Sequence, residues 1–168
     1  MAIIFDLDQT LVDSSSAEQH RTNRSWATVY SLIPGFKYYE GFAKIFEFIK
    51  EKKIPTCIVT NSPSTYCTKV AKHHNIVCDF HICYHDTKKR KPDPEPILLA
   101  ISKFDSEPNK TLSVGDRDID IIASNKAGAK TVACLWGATD KESLLAANPH
   151  YVARTPNDLL EIIKKFYS

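Results

Sequence analysis

The chain has 168 residues, 43% hydrophobic and 25% charged, the size and balance of one globular domain with a real core, which excludes a peptide, a disordered tail and a multidomain assembly. Lys plus Arg number 22 against 20 Asp plus Glu, and the net charge of +2 is too small to bind a polyanion through the overall field, so any basic function is local. The five cysteines form no CxxC pair and read as reduced thiols that pack as small hydrophobes. No apolar run approaches the roughly 18–20 residues of a membrane helix, and Asp6 cuts the run Ala2-Ile3-Ile4-Phe5 too early for a signal peptide. A soluble, cytoplasmic protein without membrane contact is the expectation.

In chain order, the first predicted element is a buried strand, Ile3-Ile4-Phe5. A short helical segment follows, with Ser15 and Glu18 spaced as a capping box and Trp26, Val29, Tyr30 and Ile33 at helical intervals. Residues 39–52 give the clearest helix, with Phe42, Ile45, Phe46 and Ile49 on one stripe and Lys44, Glu47, Lys50 and Glu51 pointing away. Cys57-Ile58-Val59, Phe80-His81-Ile82-Cys83, Leu112-Ser113-Val114 and Val132-Ala133-Cys134 read as further buried strands. Between them, Ser62-Pro63, Asp93-Pro94 and Thr155-Pro156 each place a capping side chain before a proline suited to a first helical turn. Strand and helix alternating in this way give an α/β fold, a parallel sheet covered on both faces, in one domain spanning 1–168. Ligands of such folds bind beyond the carboxyl ends of the strands.

Polar clusters stand at those ends. Asp6-Leu7-Asp8-Gln9-Thr10 follows the first strand and Thr60-Asn61-Ser62 the second; Lys91-Pro92-Asp93-Pro94 precedes a helix, and Gly115-Asp116-Arg117-Asp118-Ile119-Asp120 follows the strand ending at Val114. Converging carboxylates repel by about 4 kcal/mol per pair at 4 Å and an effective dielectric of 20, so a cation has to sit among them. Oxygen donors sharing a shell with water and phosphate favour Mg²⁺. Thr60, Asn61 and the following helix N-terminus suit a phosphate cradle, and Lys91 offsets the carboxylates and an incoming dianion.

These clusters, in this order, resemble the motifs of the haloacid dehalogenase (HAD) superfamily of phosphatases, over nearly the whole chain: Asp6-Leu7-Asp8-Gln9-Thr10-Leu11, Val59-Thr60-Asn61, Lys91-Pro92-Asp93-Pro94, Val114-Gly115-Asp116 with Asp120, and Ala127-Gly128. Trp136-Gly137 and Tyr151-Val152 resemble the phosphoglycolate phosphatase-like branch. The resemblance implies a Rossmann-like three-layer α/β/α sandwich and a Mg²⁺-dependent phosphatase. In it Asp6 is the nucleophile that becomes an aspartyl-phosphate, and Asp8 is the general acid and base. It implies that Asp6, the backbone carbonyl of Asp8, and Asp116 hold the metal, with Asp120 a direct or water-mediated supporter, and that Thr60, Asn61 and Lys91 bind the transferring group. Dehalogenases and P-type ATPases lack a carboxylate at the position of Asp8, so the resemblance favours hydrolysis of a phosphate ester.

Two departures stand out. Gln9 occupies a position where the family usually has Gly, and a changed loop shape is expected there. Between Asp13 and Pro34-Gly35 only about twenty residues remain, so a single short helix over about 13–34 is expected to replace a much larger cap. One helix hardly excludes water, which leaves enclosure to the substrate or to a second subunit in a homo-oligomer, and leaves the size of the phosphorylated substrate open.

The remaining motifs have plainer readings. His73, His74, Cys78, His81, Cys83 and His85 lack a strong zinc spacing and read as packing and surface residues. Lys88-Lys89-Arg90-Lys91 reads as one catalytic lysine in a solvated loop, so nucleic acid is an alternative substrate class but not the favoured one. Trp26 and Tyr30 read as packing. A phosphoprotein is a further alternative substrate, and a non-catalytic phosphate sensor is the alternative from another functional class.

Overall fold

All 168 residues are described by a computed structural model. Its strands are β1 (Ala2–Phe5), β2 (Val12–Asp13), β3 (Lys37–Tyr38), β4 (Thr56–Val59), β5 (Phe80–Ile82), β6 (Thr111–Gly115), β7 (Lys130–Cys134) and β8 (Tyr151–Ala153). Six of them form a parallel sheet in the order β5-β4-β1-β6-β7-β8, while β2 and β3 make a separate antiparallel pair. The order reverses around β1, which is flanked by β4 and β6, so the chain after Phe5 emerges at the switch point where such sheets bind ligands.

Period-two alternation sends successive strand residues to opposite helix layers. Ile3, Phe5, Ile58, Leu112, Val114, Val132 and Cys134 belong to the larger core, shared with α3 (Phe42–Lys52), α4 (Ser64–His73) and α8 (Pro156–Phe166). Ile4, Cys57, Val59 and Ile82 point the other way, toward α5 (Glu95–Lys103) and α6 (Asp118–Lys126). Ala133 meets Ile121 and Leu144, the latter on α7 (Lys141–Ala146). This is the three-layer α/β/α sandwich expected from the sequence.

Several local expectations change. Residues 13–34 hold two short helices, α1 (Glu18–Thr22) and α2 (Trp26–Leu32), bracketed by 3-10 turns at Ser15–Ala17 and Ile33–Gly35. The Ser15/Glu18 capping box does not form, because Asp13 competes for Ser15: its carboxylate accepts from the Ser15 hydroxyl at 2.6 Å and from the Ser15 N–H at 3.0 Å. Ser62 is not a cap either, since α4 starts at Ser64 and the Ser62 hydroxyl donates to Asp8. Thr155 does cap α8, in a reciprocal box with Asp158. The helix expected from residue 39 begins at Phe42, because Tyr38 pairs in β3 and Gly41, at φ 101°, makes the left-handed turn into it. Strand β8 escapes a hydrophobicity reading because Tyr151 and Val152 lie exposed on the sheet edge.

Candidate active site

Strand register sets the first half of the site. Asp6 directly follows β1, and its N–H continues the ladder to the Val114 carbonyl of β6, so Asp6 and Asp116 leave the sheet side by side. Asp120 stands one turn into α6 and folds back: its Oδ1 accepts from Lys91 Nζ at 2.6 Å and its Oδ2 from the Arg117 N–H at 3.0 Å. Gly115 makes that return possible, for a Cβ there would stand 2.3 Å from the Asp120 Cβ. One carboxylate oxygen each from Asp6, Asp116 and Asp120 lie within 4.8 Å of one another.

Lys91 is 5% exposed, and its ammonium makes three contacts: Asp6 Oδ1 at 2.8 Å, Asp120 Oδ1 at 2.6 Å and the Val59 carbonyl at 2.8 Å. All three donors are thereby satisfied. Burial would pull this ammonium down, but Asp120 and Asp6 more than offset that and hold its pKa above the usual lysine value. Asn61 braces the lysine from behind. Its amide donates to the Lys91 carbonyl at 3.0 Å and accepts from the Lys91 N–H at 3.2 Å, so the side chain sequence reading assigned to the phosphate cradle is engaged with the lysine backbone. The Thr60 hydroxyl accepts from the Ser62 N–H at 3.1 Å and keeps its own proton for another acceptor.

One ammonium does not balance three carboxylates. Burial pushes Asp6 up to about 7 although Lys91 opposes it. Burial, with repulsion from Asp6 and Asp120, pushes Asp116 up to about 9, and the 2.9 Å hydrogen bond from the Thr10 hydroxyl only partly counters this. Such a set, hard oxygen donors converging with excess negative charge, fits a small divalent cation of the Mg²⁺ type.

Asp8 is held differently. Its Oδ1 accepts from the Ser14 hydroxyl at 2.6 Å, the Tyr66 hydroxyl at 2.5 Å and Arg21 Nη1 at 2.5 Å, and its Oδ2 accepts from Ser62 at 3.1 Å. Ser14 and Arg21 come from the short insert, Tyr66 from α4. Sequence reading missed Ser14, Arg21 and Tyr66 as partners of Asp8, since none follows a strand of the parallel sheet; no local signal marks them. The insert does more than expected of one helix, because Glu18, Arg21 and Thr22 wall a cavity of about 340 Å³ that also contains Asp6, Asp8, Thr60, Lys91 and Asp116.

Gln9 also differs from expectation. It takes the left-handed conformation, φ 62°, that glycine would favour, so the loop keeps a glycine-type backbone instead of changing shape. Its Oε1 accepts from the Ser14 N–H at 3.0 Å, and Gly137 leaves room for it, since a Cβ at Gly137 would stand 1.9 Å from the Gln9 carbonyl oxygen. Trp136 Nε1 donates to the Thr10 carbonyl at 3.0 Å and pins the far side of the same loop.

Away from this edge, the His/Cys segment disperses. His74 stacks on Tyr38 with centroids 6.1 Å apart, Cys83 is buried in the larger core, and Ile82 points to the opposite layer. The basic run is tied locally: Glu95 accepts the Lys88 and Lys89 N–H groups, Lys89 pairs with Asp93 at 3.5 Å, and Arg90 stacks 4.0 Å over Tyr84. No helix is long and apolar enough to cross a membrane.

A family model described as haloacid dehalogenase-like hydrolase matches residues 25–134. The chain is 34% identical over 211 aligned positions to PpaX of Clostridium perfringens, which carries the provisional name of a pyrophosphatase, with 99% of both chains covered. That alignment is longer than this 168-residue chain, so the relative carries residues with no counterpart here. The phosphoglycolate phosphatase of Aquifex aeolicus is 31% identical over 129 residues, 76% of this chain and 59% of that one. A hydrolase from Pseudomonas syringae superposes over 100% of both chains with a TM-score of 0.85 at 22% identity, which shows the shared fold. The chain belongs to the haloacid dehalogenase-like hydrolases, on the phosphatase branch of that family.

Proposed function

We propose that the protein hydrolyses a phosphate monoester in two steps through an aspartyl-phosphate on Asp6. The observation that carries this reading is the position of Asp6: at the switch point of the sheet, bonded to Lys91 Nζ at 2.8 Å, with Asp116 and Asp120 oxygens within 4.8 Å and Asp8 two residues away. In the first step an Asp6 oxygen attacks phosphorus, the bond to the leaving oxygen breaks, and Asp8 supplies the proton that oxygen takes up. In the second, Asp8 takes a proton from water, whose oxygen attacks the same phosphorus. Inorganic phosphate leaves and the Asp6 carboxylate returns. Lys91 and the Thr60 hydroxyl offset charge on the transferring group and position it, while Asn61 acts by fixing Lys91. Mg²⁺, held by Asp6, the Asp8 carbonyl and Asp116 with Asp120 in support, would supply the charge neutralisation that lets two anions approach.

In this reading residues 1–168 form one hydrolase domain, and residues 13–34 stand in place of a larger cap. The modest cavity and the local engagement of the basic run support a small phosphorylated substrate over a nucleic-acid end. The names of the two relatives make pyrophosphate and phosphoglycolate the first compounds to assay. Asp6→Asn keeps the shape of the side chain and removes the nucleophilic charge. It is expected to lower phosphate release at least about 10³-fold with an unchanged melting profile. Full activity in that variant would sink the mechanism, and release of a single equivalent by the unmodified protein would point to the phosphate-sensor class.

A further inference from the structure

Arg21 stands between two cavities. It lines the catalytic one, and with Arg24, Trp26, Ser62 and Tyr84 it lines an adjoining one of about 310 Å³. Its guanidinium is used on one side only. Nη1 makes all three of its side-chain hydrogen bonds, to Asp8 Oδ1, the Ser14 hydroxyl at 2.6 Å and the Tyr66 hydroxyl at 2.9 Å. Nη2 and Nε have no protein partner. The side chain is only 14% exposed and lies over the Tyr66 ring at 5.7 Å, so the fork is fixed before any ligand arrives.

A planar fork with one arm occupied offers its remaining donors in the geometry that matches a carboxylate or phosphate. We propose that Arg21 is a specificity-determining residue: it binds a second anionic group, carried by the leaving portion of the substrate, while its Nη1 holds Asp8 beside the ester oxygen. The substrate class is then a phosphorylated molecule whose leaving group is itself an anion. Arg24, exposed on the same adjoining cavity, adds positive charge to that subsite. A neutral leaving group of the same size would leave the free donors of Arg21 without a partner at closure, and sites built to hydrogen-bond a group reject the analogue lacking it. This rests on the phosphatase reading and names the substrate class of that same site.

The test is a matched pair, 2-phosphoglycolate and 2-hydroxyethyl phosphate, which differ in carrying a carboxylate or a neutral hydroxymethyl group. The unmodified protein is expected to favour the anionic ester in kcat/KM by about 10–100-fold. Arg21→Gln is expected to shrink that ratio about tenfold or more, chiefly through a raised KM for 2-phosphoglycolate, and Arg21→Lys to recover part of it. Arg24→Gln, a change at an exposed position, is expected to shrink the ratio about two- to threefold and gives a second reading should Arg21→Gln fail to fold. An unmodified protein that turns over both esters equally, or an Arg21 variant that loses equal activity on both, overturns the proposal. The control is Asp6→Asn. Turnover persisting there defeats the phosphatase reading itself, whereas turnover abolished there with no charge selectivity in the parent defeats only the role of Arg21.

Discussion

Asp6 and Asp8 stand two residues apart and are held by different parts of the molecule. Asp6 is fixed by the sheet and by a lysine from the segment before α5, with strand register on both sides of it. Asp8 is fixed by Ser14 and Arg21 of the insert, by Tyr66 of α4 and by Ser62 beyond β4. In the proposed mechanism the sheet edge would carry the covalent chemistry, and the insert would set how Asp8 and its surroundings meet a particular leaving group. Loss of the buried lysine at the sheet edge should damage stability and turnover together, whereas a change in the insert should act on substrate choice.

The largest effect expected from this contrast belongs to Lys91→Met, which keeps the length of the side chain and removes its charge. Asp6, Asp120 and the Val59 carbonyl would lose their shared donor in a buried position. Breaking a buried ion pair from one side costs about 3–5 kcal/mol, read as a drop in the urea midpoint, and phosphate release should fall about 10³-fold. A variant of unchanged stability would show that the sheet edge tolerates its carboxylates without the lysine and would erase the contrast.

A smaller effect separates the two regions by pH. Burial pushes Asp6 up to about 7 and Asp116 up to about 9 from the usual aspartate value of 3.8, so between those limits the folded protein binds more protons than the unfolded chain. Without a divalent cation, stability is therefore greatest below about pH 4 as far as these groups are concerned. It falls as pH rises toward 7 and on toward 9. Mg²⁺ favours the ionised carboxylates, so the rise in melting temperature on adding it to chelator-treated protein should be larger at about pH 9 than at about pH 5. The opposite order would mean that the carboxylate cluster is not where the ion binds.

How much of this was legible in the sequence follows the same division. Asp6, Thr60, Asp116 and Asp120 announce themselves because each follows a run of β-branched or apolar residues, and strand ends converge in a parallel sheet. Of the partners of Asp8, only Ser62 stands in such a cluster. Tyr66 sits on α4 among core residues and looks like packing, and Arg21 looks like a solvated charge on a polar segment, because contacts across 13 and 58 positions leave no periodic trace. The place of Asn61 after β4 predicts a phosphate ligand but not the bonds of its amide to the Lys91 backbone 30 positions away. Local pattern identifies which residues reach the sheet edge, and tertiary contact decides which way their side chains turn.

The finest test of the division is Gln9→Gly, at the joint between the two regions. Gln9 tolerates φ 62°, which costs a non-glycine residue about 1–2 kcal/mol, and relief of that cost favours the variant. Against it stand the greater chain entropy of glycine, about 0.5–1 kcal/mol, and the lost bond from the Ser14 N–H to Gln9 Oε1, about 0.5–1.5 kcal/mol. The net change in stability should thus fall within about 1.5 kcal/mol of zero while its distribution shifts. The loop around Asp6 relaxes, and Ser14, which bonds Asp8 at 2.6 Å, loses its own anchor. Amide exchange should accelerate at residues 14–22 and stay slow in β1 and β6. Faster exchange in the strands as well would mean that the insert and the sheet open as one unit, and that Asp8 is held by the fold as a whole.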